Sequence, residues 1–497
     1  MQDAAAAHEA ERQRIIGSPW TKLSYAIGGI PYGVKGNGFS YFLLIFYSQA
    51  LGVDAAQVGL AIVITFLFDA FSDPVVGYLS DNTRSKLGRR HPFMYAAALP
   101  VAAAYWLLWN PPESFTNDQL FWYVLIVAIA VRQLITLYEV PSSALVAELT
   151  QDYDARTSYL SLRNMFIWFG GVTMAVITLG FLLNEERGGG SGFTDVEGFH
   201  QYGMMASATL FIAILISAIG THRAIPYLRQ SHSVPEGFSL GRLFREVYET
   251  LSSRSFAALF LATLFANTAS GVSGALTFYI YGYFWGFTTV QTSIIVASVF
   301  ISAILANFAA PLISRTIGKK RGAIYVGLAA FTLAPAPVTL RLLGVMPANG
   351  DPILFPLIFG VVVIDLGLII TVQILMQSMI ADLVEDAELK TERRNEGVFF
   401  AAISFTRKAV EGMGIMLAST ILVLIAFPVG VPPSEVGDEA LFRLGLFYAP
   451  TLFTLWMIML FCLSLYKIDR AQHEANLRTL AERADPTFVT ESSPAEN

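Results

Sequence analysis

The sequence predicts an all-α integral membrane protein with 12 transmembrane helices in two six-helix halves. Three observations support this fold class: long apolar runs, an unequal distribution of basic residues between alternate loops, and an internal repeat. Of the 497 residues, 54% are hydrophobic and only 14% are charged, and the mean hydropathy is +0.55. A soluble protein carries about 25% charged residues, so this composition excludes an ordinary soluble fold.

Each predicted helix is a run with few charges that is long enough to cross a bilayer, which takes about 20 helical residues. The runs give helices near residues 23–51, 55–80, 92–110, 119–147, 159–183, 201–225, 256–286, 290–314, 322–344, 353–383, 398–427 and 441–467. The first run is interrupted by Pro31 and five glycines. Membrane helices tolerate such residues where neighbouring helices or a wet cavity satisfy the freed backbone groups.

Basic residues lie mostly on one side of the predicted membrane. Of the 32 lysines and arginines, five lie well within helices and three lie in the loops or helix ends of one side, which leaves 24 on the other side. Cytoplasmic loops carry the excess of Lys and Arg, so both termini are predicted to be cytoplasmic. The loops at residues 185–200 and 428–440 are then expected to face outward.

The two halves repeat two short motifs in the same order. Arg84–Arg90 (RSKLGRR) follows the second helix and Arg315–Arg321 (RTIGKKR) follows the eighth, 231 residues later. Ala147–Asp152 follows the fourth helix and Ala381–Asp386 follows the tenth, 234 residues later. Two such halves, which rock around a site at the midplane, are typical of the major facilitator architecture.

The repeat predicts five regions along the chain. They are a cytoplasmic N-terminal segment (1–22), a first bundle (23–227), a cytoplasmic linker (228–255), a second bundle (256–467) and a cytoplasmic tail (468–497). The N-terminus shows no signal-peptide pattern, and the net charge of −6 gives no reason to expect a nucleic-acid partner. We find no Walker loop, zinc-protease motif or hydrolase motif. We therefore expect neither an enzyme nor a cofactor.

Ionisable residues within membrane helices cost about 2.5–3.5 kcal/mol each at a helix centre and are normally functional. In the second helix, Asp69 and Asp73 are one turn apart on one face, and Ser72 lies between them. Two carboxylates this close repel unless a cation or a proton lies between them. The pair therefore predicts a cation site. The alternative is that each aspartate caps or pairs with a neighbouring helix.

Further polar groups lie within the other helices. The fourth helix carries a polar stripe, in which Thr136 is placed to complete the oxygen ligands of the aspartate pair; the stripe is Arg132, Thr136, Glu139 and Ser143. The other charges are Lys35 in the first helix, Arg163 in the fifth, Asp365 in the tenth, and Arg407, Lys408 and Glu411 in the eleventh. One or two of them are expected to form structural ion pairs, such as Lys408 with Glu411. The network of Arg132, Asp365, Lys408 and Glu411 is predicted to support coupling.

Several of these motifs resemble one transporter family. They are Lys22–Tyr25 (KLSY), Phe68–Pro74 (FDAFSDP), the Asp81–Pro92 loop, Glu139–Pro141 (EVP), Arg163, Ala381–Asp386 and Lys408. From about residue 22 to 475 the chain resembles the melibiose permease group, the glycoside–pentoside–hexuronide:cation symporters, whose relatives include vertebrate lysophospholipid transporters. The resemblance implies that the coupling cation, Na⁺ or H⁺, is bound by Asp69, Ser72, Asp73 and Thr136. It also implies that Glu139 and Arg163 hold the substrate and that Lys408 lies near the cation.

Other positions of the family's sugar site differ in this chain. A Lys-Asp pair of the permease falls on Tyr32 and Gly33, and its two tryptophans, of which the first stacks on the sugar, fall on Ser143 and Gln373. Half of the implied sugar site is therefore altered, while the cation site is kept.

The charges near the implied substrate site favour one class of cargo. Lys35 lies one turn from Tyr32, so that Glu139 is balanced against both Lys35 and Arg163. The excess of one positive charge predicts an anionic or zwitterionic substrate over a neutral galactoside. The alternative is that Lys35 snorkels or pairs with Asp365 and never meets the substrate.

The leading interpretation is a cation-coupled symporter for a glycoside, sugar acid or similar small solute, located in a bacterial cytoplasmic membrane and functional as a monomer. A second interpretation keeps the fold and changes the cargo to a lysophospholipid or another amphipathic lipid. A third is a membrane protein that binds or senses a solute without transporting it.

Overall fold

The computed structural model describes residues 10–150, 152–187, 191–228, 254–391, 410 and 412–466. These residues form helices joined by loops, and none of them lies in a β-strand. Before the predicted linker, the helices are α1 (Pro19–Ile27), α2 (Ile30–Asn37), α3 (Ala55–Asn82), α4 (His91–Trp109), α5 (Asn117–Leu149), α6 (Tyr153–Ile177) and α7 (Val196–His222). After it come α8 (Arg254–Phe278), α9 (Thr289–Ala297), α10 (Val299–Ile317), α11 (Lys319–Leu333), α12 (Ala336–Leu342), α13 (Leu354–Thr391), α14 (Gly412–Leu424) and α15 (Asp438–Ser464).

Within the described ranges, ten helical stretches are long and apolar enough to cross a membrane. They coincide with ten of the 12 predicted helices and differ from them by a few residues at most ends. Two predicted helices are not among these ten stretches. The first is interrupted, and only α14 of the eleventh lies within the described residues. The predicted fold class, an all-α polytopic membrane protein, is therefore confirmed.

The first predicted helix is broken, as its glycines and proline suggested. α1 ends at Ile27, α2 begins at Ile30, and two π-helical turns follow at Gly38–Phe42 and Phe46–Ala50. At one of these positions, Gly33 in α2, the structure shows why a glycine is needed. A Cβ there would lie 1.9 Å from the backbone oxygen of Ile167 in α6. Glycine thus permits α2 and α6 to pack backbone to backbone, the kind of close approach that small residues provide in membrane helices.

The chain forms two compact units. The first consists of Met1–Phe238, Gly271–Ala297 and Glu411–Gly445, and the second consists of Ser239–Ser270, Ser298–Val410 and Leu446–Asn497. The predicted division into the bundles 23–227 and 256–467 stays a prediction. The predicted linker lies outside the described residues except at its ends, and the predicted tail lies wholly outside them.

Hydrogen bonds tie the end of the first predicted helix to later segments of the first unit. The hydroxyls of Ser48 and Tyr279 are 2.5 Å apart, and Gln49 Nε2 donates to the backbone oxygen of Pro428 at 3.1 Å. Tyr279 and Ser48 are fully buried. The two bonds connect segments of the first unit that are more than 200 residues apart in the chain.

Candidate functional site

The two aspartates of α3 lie against α5. Asp69 is fully buried and Asp73 is half-buried. The hydroxyl oxygen of Thr136 in α5 lies 2.8 Å from Asp69 Oδ1 and 3.2 Å from Asp73 Oδ1. The structure thus brings together three of the four residues predicted to bind the cation, through one hydroxyl that both carboxylates share.

This sharing has a chemical consequence. A threonine hydroxyl has a single proton to donate, so it cannot make a full hydrogen bond to both carboxylates at once. Two ionised carboxylates around one hydroxyl also repel each other. A small cation or a proton placed among the three oxygens relieves both problems, so the donor set fits Na⁺ or H⁺. Among the described residues, at this site or at any other, no three His, Cys, Asp or Glu side chains group as a metal site.

Ser72, the fourth predicted cation ligand, makes a different contact. Its hydroxyl donates to the backbone oxygen of Asp69, within α3, at 3.0 Å. This bond orients the serine along its own helix, and its role as a cation ligand stays a prediction.

Arg132 forms a buried ion pair with Asp69. Its Nη2 donates to Asp69 Oδ2 at 2.6 Å, and the two side chains are 4% and 0% exposed. The guanidinium also lies 3.8 Å from the ring centre of Phe66 and 5.4 Å from that of Phe39, as cation–π contacts do. Because Arg132 and Thr136 are one turn apart on α5, this face presents a positive charge and a hydroxyl to the same carboxylate. The sequence placed Arg132 in a charge network without identifying Asp69 as its partner.

Lys35 in α2 forms an ion pair with Glu139 in α5. Lys35 Nζ lies 2.8 Å from Glu139 Oε1, and the side chains are 4% and 9% exposed. The ammonium also lies 4.8 Å from the ring centre of Tyr32, which is half-buried. Three of the predicted substrate residues are therefore neighbours, but the charge of Lys35 is matched by a carboxylate of the protein.

Arg163 in α6 has neutral partners. Its guanidinium donates to the hydroxyl of Ser142 at 2.9 Å and to the backbone oxygen of Tyr25 at 3.4 Å, and it lies 4.9 Å from the Tyr25 ring centre. No carboxylate among the described residues forms an ion pair with Arg163, which is 6% exposed. Ser142 links Arg163 to α5, because its hydroxyl accepts from Arg163 and donates to the backbone oxygen of Glu139. The Glu139 carboxylate binds Lys35 instead.

Ser142 and Tyr25 are two residues of this arrangement that the sequence reasoning did not select. Ser142 lies one turn after Glu139, so its helical spacing was an available signal. Tyr25 lies in the KLSY motif, which gave no sign that its backbone oxygen and its ring would position an arginine of α6.

The remaining predicted site residues are placed elsewhere. Ser143 in α5 is exposed, and its hydroxyl donates to Val140 O within its own helix. In the second unit, Gln373 of α13 is exposed. Asp365 also lies in α13. Its Oδ1 atom is buried and has no hydrogen-bond partner among the residues that the structure describes. Arg407, Lys408 and Glu411 lie outside the described residues, and so does their predicted ion pair.

Comparisons with known proteins identify the family. The profile described as "MFS/sugar transport protein" matches residues 24–470. An uncharacterised symporter of Synechocystis sp. is 34% identical over 205 residues, which cover 40% of this chain and 36% of that protein. The isoprimeverose transporter of Lactiplantibacillus pentosus is 26% identical over 409 residues, 82% and 80% of the two chains. The sodium-dependent lysophosphatidylcholine symporter 1 of Gallus gallus is 23% identical over 513 residues, 98% and 93% of the two chains.

The aligned region spans little more than a third of the Synechocystis protein, whereas the other two relatives align over most of their length. Among solved structures, a variant of the nucleoside transporter NupG shares the fold. It has a TM-score of 0.61 at 13% identity and covers 90% of this chain and 100% of that one. The profile match, which covers nearly the whole predicted membrane region, confirms the family inferred from the motifs. The chain belongs to the MFS/sugar transport family and, within it, to the glycoside–pentoside–hexuronide:cation symporters of the major facilitator superfamily.

Proposed function

We propose that this chain carries a small solute across the membrane together with a monovalent cation, Na⁺ or H⁺. The observation that carries the proposal is the Thr136 hydroxyl shared by Asp69 and Asp73, at 2.8 and 3.2 Å. The oxygens repel when the site is empty, so a bound cation stabilises whichever conformation brings them together. If that conformation also binds the substrate better, each ligand raises the affinity for the other.

The position of α5 supports this coupling. Thr136 in the cation site and Glu139 in the Lys35–Glu139 pair are three residues apart on this helix, so a shift or rotation of α5 moves both. The same helix carries Ser142, which holds Arg163. α5 is therefore the element through which cation binding reaches the substrate residues.

The charges near Glu139 favour an acidic substrate. Lys35 and Glu139 balance each other, which leaves the charge of Arg163 to be matched. Arginine presents a planar fork of donors that suits a carboxylate or a phosphate. We therefore propose a sugar acid, such as a hexuronide, or a similar anionic solute as the cargo.

A second candidate cargo is a zwitterionic lysolipid. The resemblance to the melibiose permease group places Ser143 and Gln373 at positions that hold tryptophans there, so this chain lacks the stacking rings that favour a sugar over an acyl chain. A lysolipid phosphate also suits Arg163. The Gallus gallus relative, whose name describes a lysophosphatidylcholine symporter, supports this candidate because it aligns over 98% of the chain.

The proposal is tested with the purified full chain in proteoliposomes. A labelled glucuronide is expected to accumulate when an inward Na⁺ or H⁺ gradient is imposed, and a neutral galactoside is expected to accumulate less. A lysolipid partitions into any bilayer, so it is tested as a competitor of glucuronide binding in detergent. Equal uptake with and without every cation gradient would refute coupling.

Two controls sharpen this experiment. The variant Asp73→Asn is expected to lose the response to the gradient. Counterflow without any gradient separates a transporter from a protein that only binds or senses its solute, because only a transporter exchanges internal for external substrate.

The proposal also includes the setting of the protein. The ten apolar helical stretches make it an integral membrane protein. We propose that it works as a monomer in a bacterial cytoplasmic membrane with both termini inside, and that it needs neither a cofactor nor an enzymatic step.

A further inference from the structure

We propose that Tyr138 in α5 is a positioning residue of the substrate site. Its hydroxyl holds the joint between α1 and α2, which is Gly28 and Gly29, and through that joint it fixes the guanidinium of Arg163. The inference rests on the proposed function, because it concerns the residue that is proposed to bind the acidic substrate. It gives a role to a tyrosine that the sequence did not indicate.

The first support is the backbone oxygen of Gly28. In a continuous helix it would accept from the N–H of Tyr32, four residues later. Tyr32 N donates to Gly29 O at 3.0 Å instead, and Pro31 has no N–H to offer. Gly28 is buried, and a buried carbonyl without a partner is costly. The hydroxyl of the fully buried Tyr138 supplies that partner, because it donates to Gly28 O at 3.0 Å.

The second support is the backbone oxygen of Tyr25, near the end of α1. In a continuous helix it would accept from the N–H of Gly29, but that N–H donates to Ala26 O at 2.8 Å. Arg163 Nη1 donates to Tyr25 O instead, at 3.4 Å. This distance is long for a hydrogen bond. How firmly the guanidinium is held therefore depends on where the end of α1 lies.

The third support is the packing of the joint itself. A Cβ at Gly28 would lie 2.4 Å from the Tyr138 hydroxyl, and a Cβ at Gly29 would lie 2.6 Å from the backbone oxygen of Arg163. The two glycines therefore allow the joint to fit against α5 on one side and α6 on the other. A displacement of the joint is felt directly by the residue whose guanidinium is proposed to bind the substrate.

The consequence for the substrate follows from preorganisation. A guanidinium that is already oriented loses less freedom when it binds an acidic group. Ser142 and Tyr25 O hold Arg163 at two points, and Tyr138 fixes the position of the second point through the joint. Without the Tyr138 hydroxyl, the joint contains a buried carbonyl that has lost its donor, so the end of α1 shifts. Arg163 then loses one of its two fixed contacts.

The test compares Tyr138→Phe, which removes only the hydroxyl, with a matched control. The control is Tyr47→Phe, because Tyr47 is also fully buried and its hydroxyl also donates to a backbone oxygen, that of Leu108, at 2.8 Å. Uptake of a labelled glucuronide by the purified full chain in proteoliposomes gives KM and the maximal rate. Amide hydrogen exchange over residues 28–33 of the ligand-free protein is the second readout, since exchange reports local opening. The apparent Tm of each variant is the third.

The expected results separate positioning from stability. Tyr138→Phe should raise KM for the glucuronide on the order of tenfold, because the guanidinium is displaced. Its maximal rate should stay within about twofold of natural, as expected when only binding is weakened. The amides of the joint should exchange faster. Tyr47→Phe should lower the apparent Tm as Tyr138→Phe does, but leave KM and the exchange at the joint unchanged.

Other results would overturn the inference. An unchanged KM or an unchanged exchange at the joint in Tyr138→Phe would do so, and so would an equal rise of KM in Tyr47→Phe. If the natural chain takes up no glucuronide, the proposed cargo fails, whereas the exchange measurement still decides whether the Tyr138 hydroxyl holds the joint.

A second variant applies if Tyr138→Phe does not fold. Gly29→Ala displaces the joint from its other side, since the added Cβ would meet Arg163 O. It should raise KM as well, and an unchanged KM would overturn the inference. Its control is Gly36→Ala, where a Cβ meets no atom within 4 Å.

Discussion

The ammonium of Lys35 lies 2.8 Å from Glu139 Oε1, and less than a tenth of either side chain is exposed. The pair joins α2 to α5, two helices that are about a hundred residues apart in the chain. It shows that the positive charge of Lys35, which was expected to meet the substrate, is neutralised by a carboxylate of the protein. The excess positive charge therefore resides on Arg163.

Removing Lys35 is expected to destabilise the protein. Lys35→Gln leaves the buried Glu139 carboxylate without its partner, and breaking a buried ion pair in this way costs about 3–5 kcal/mol. The apparent Tm of the purified variant should fall accordingly. The double variant Lys35→Gln/Glu139→Gln removes both charges and should be clearly more stable than Lys35→Gln. A single variant as stable as the natural chain would show that the pair contributes nothing.

Loss of either aspartate is expected to abolish cation-driven uptake. Asp69→Asn and Asp73→Asn each remove one of the carboxylates that share the Thr136 hydroxyl. Exchange of substrate without a gradient should survive, because the substrate residues are intact. Ser72→Ala tests the fourth predicted ligand; because the Ser72 hydroxyl donates to the backbone of its own helix, this variant is expected to lose less uptake than either aspartate variant. Full concentrative uptake in both aspartate variants would contradict the assignment of the cation site.

Two glycines of α2 should differ sharply in their tolerance of alanine. A Cβ at Gly33 would lie 1.9 Å from the backbone oxygen of Ile167, whereas a Cβ at Gly36 meets no atom within 4 Å. Because the obstacle at Gly33 is backbone, Gly33→Ala must separate α2 from α6, at a cost of about 1–3 kcal/mol or more. Gly36→Ala should be neutral or slightly stabilising, since alanine favours helix by roughly 0.5–1 kcal/mol. Apparent Tm values that do not differ between the two variants would disprove this packing.

The predicted orientation is tested by labelling single cysteines with a membrane-impermeant thiol reagent in a Cys462→Ala background. Ser191 and Ser231 represent the predicted outer loop and the linker, but Ser191 is only 6% exposed and Ser231 lies outside the described residues. Two exposed positions are therefore better labelling sites: Glu185→Cys for the predicted outer loop and Lys86→Cys for a predicted cytoplasmic loop. Glu185→Cys is expected to react from outside in intact cells, and Lys86→Cys only after the membrane is opened. Reaction of both in intact cells would refute the topology.

The loop that is predicted to face outward contains an ion pair close to the buried Ser191. Arg187 binds Asp195 through Nη2 and Oδ2 at 2.8 Å, and Asp195 is 1% exposed. Hydrogen bonding to Asp195 raises the pKa of Arg187. Arg187 also donates to the backbone oxygen of Leu182, so it links Asp195 to the end of the preceding helix, a contact that no sequence motif predicted.

Much of the fold could be predicted from the sequence, because it depends on local patterns. Apolar length sets the helices. Helical spacing puts Asp69 and Asp73 on one face of their helix and Thr136 in the polar stripe of another. The glycine-rich first helix was expected to be interrupted, and it is. The motifs, taken with their order, were sufficient to predict the family.

The partners of the charged residues were decided only by the tertiary structure. The sequence did not indicate that Arg132 pairs with Asp69, that Lys35 pairs with Glu139, or that Ser142 holds Arg163. Helical spacing fixes which residues of one helix share a face, but a pair between helices depends on the rotation and depth of each. Those are set by close contacts such as that of Gly33 with the backbone of α6, between residues far apart in the chain. In a low-dielectric interior, buried charges such as those of Arg132 and Lys35 are then stabilised by the opposite charges that the packing brings within reach.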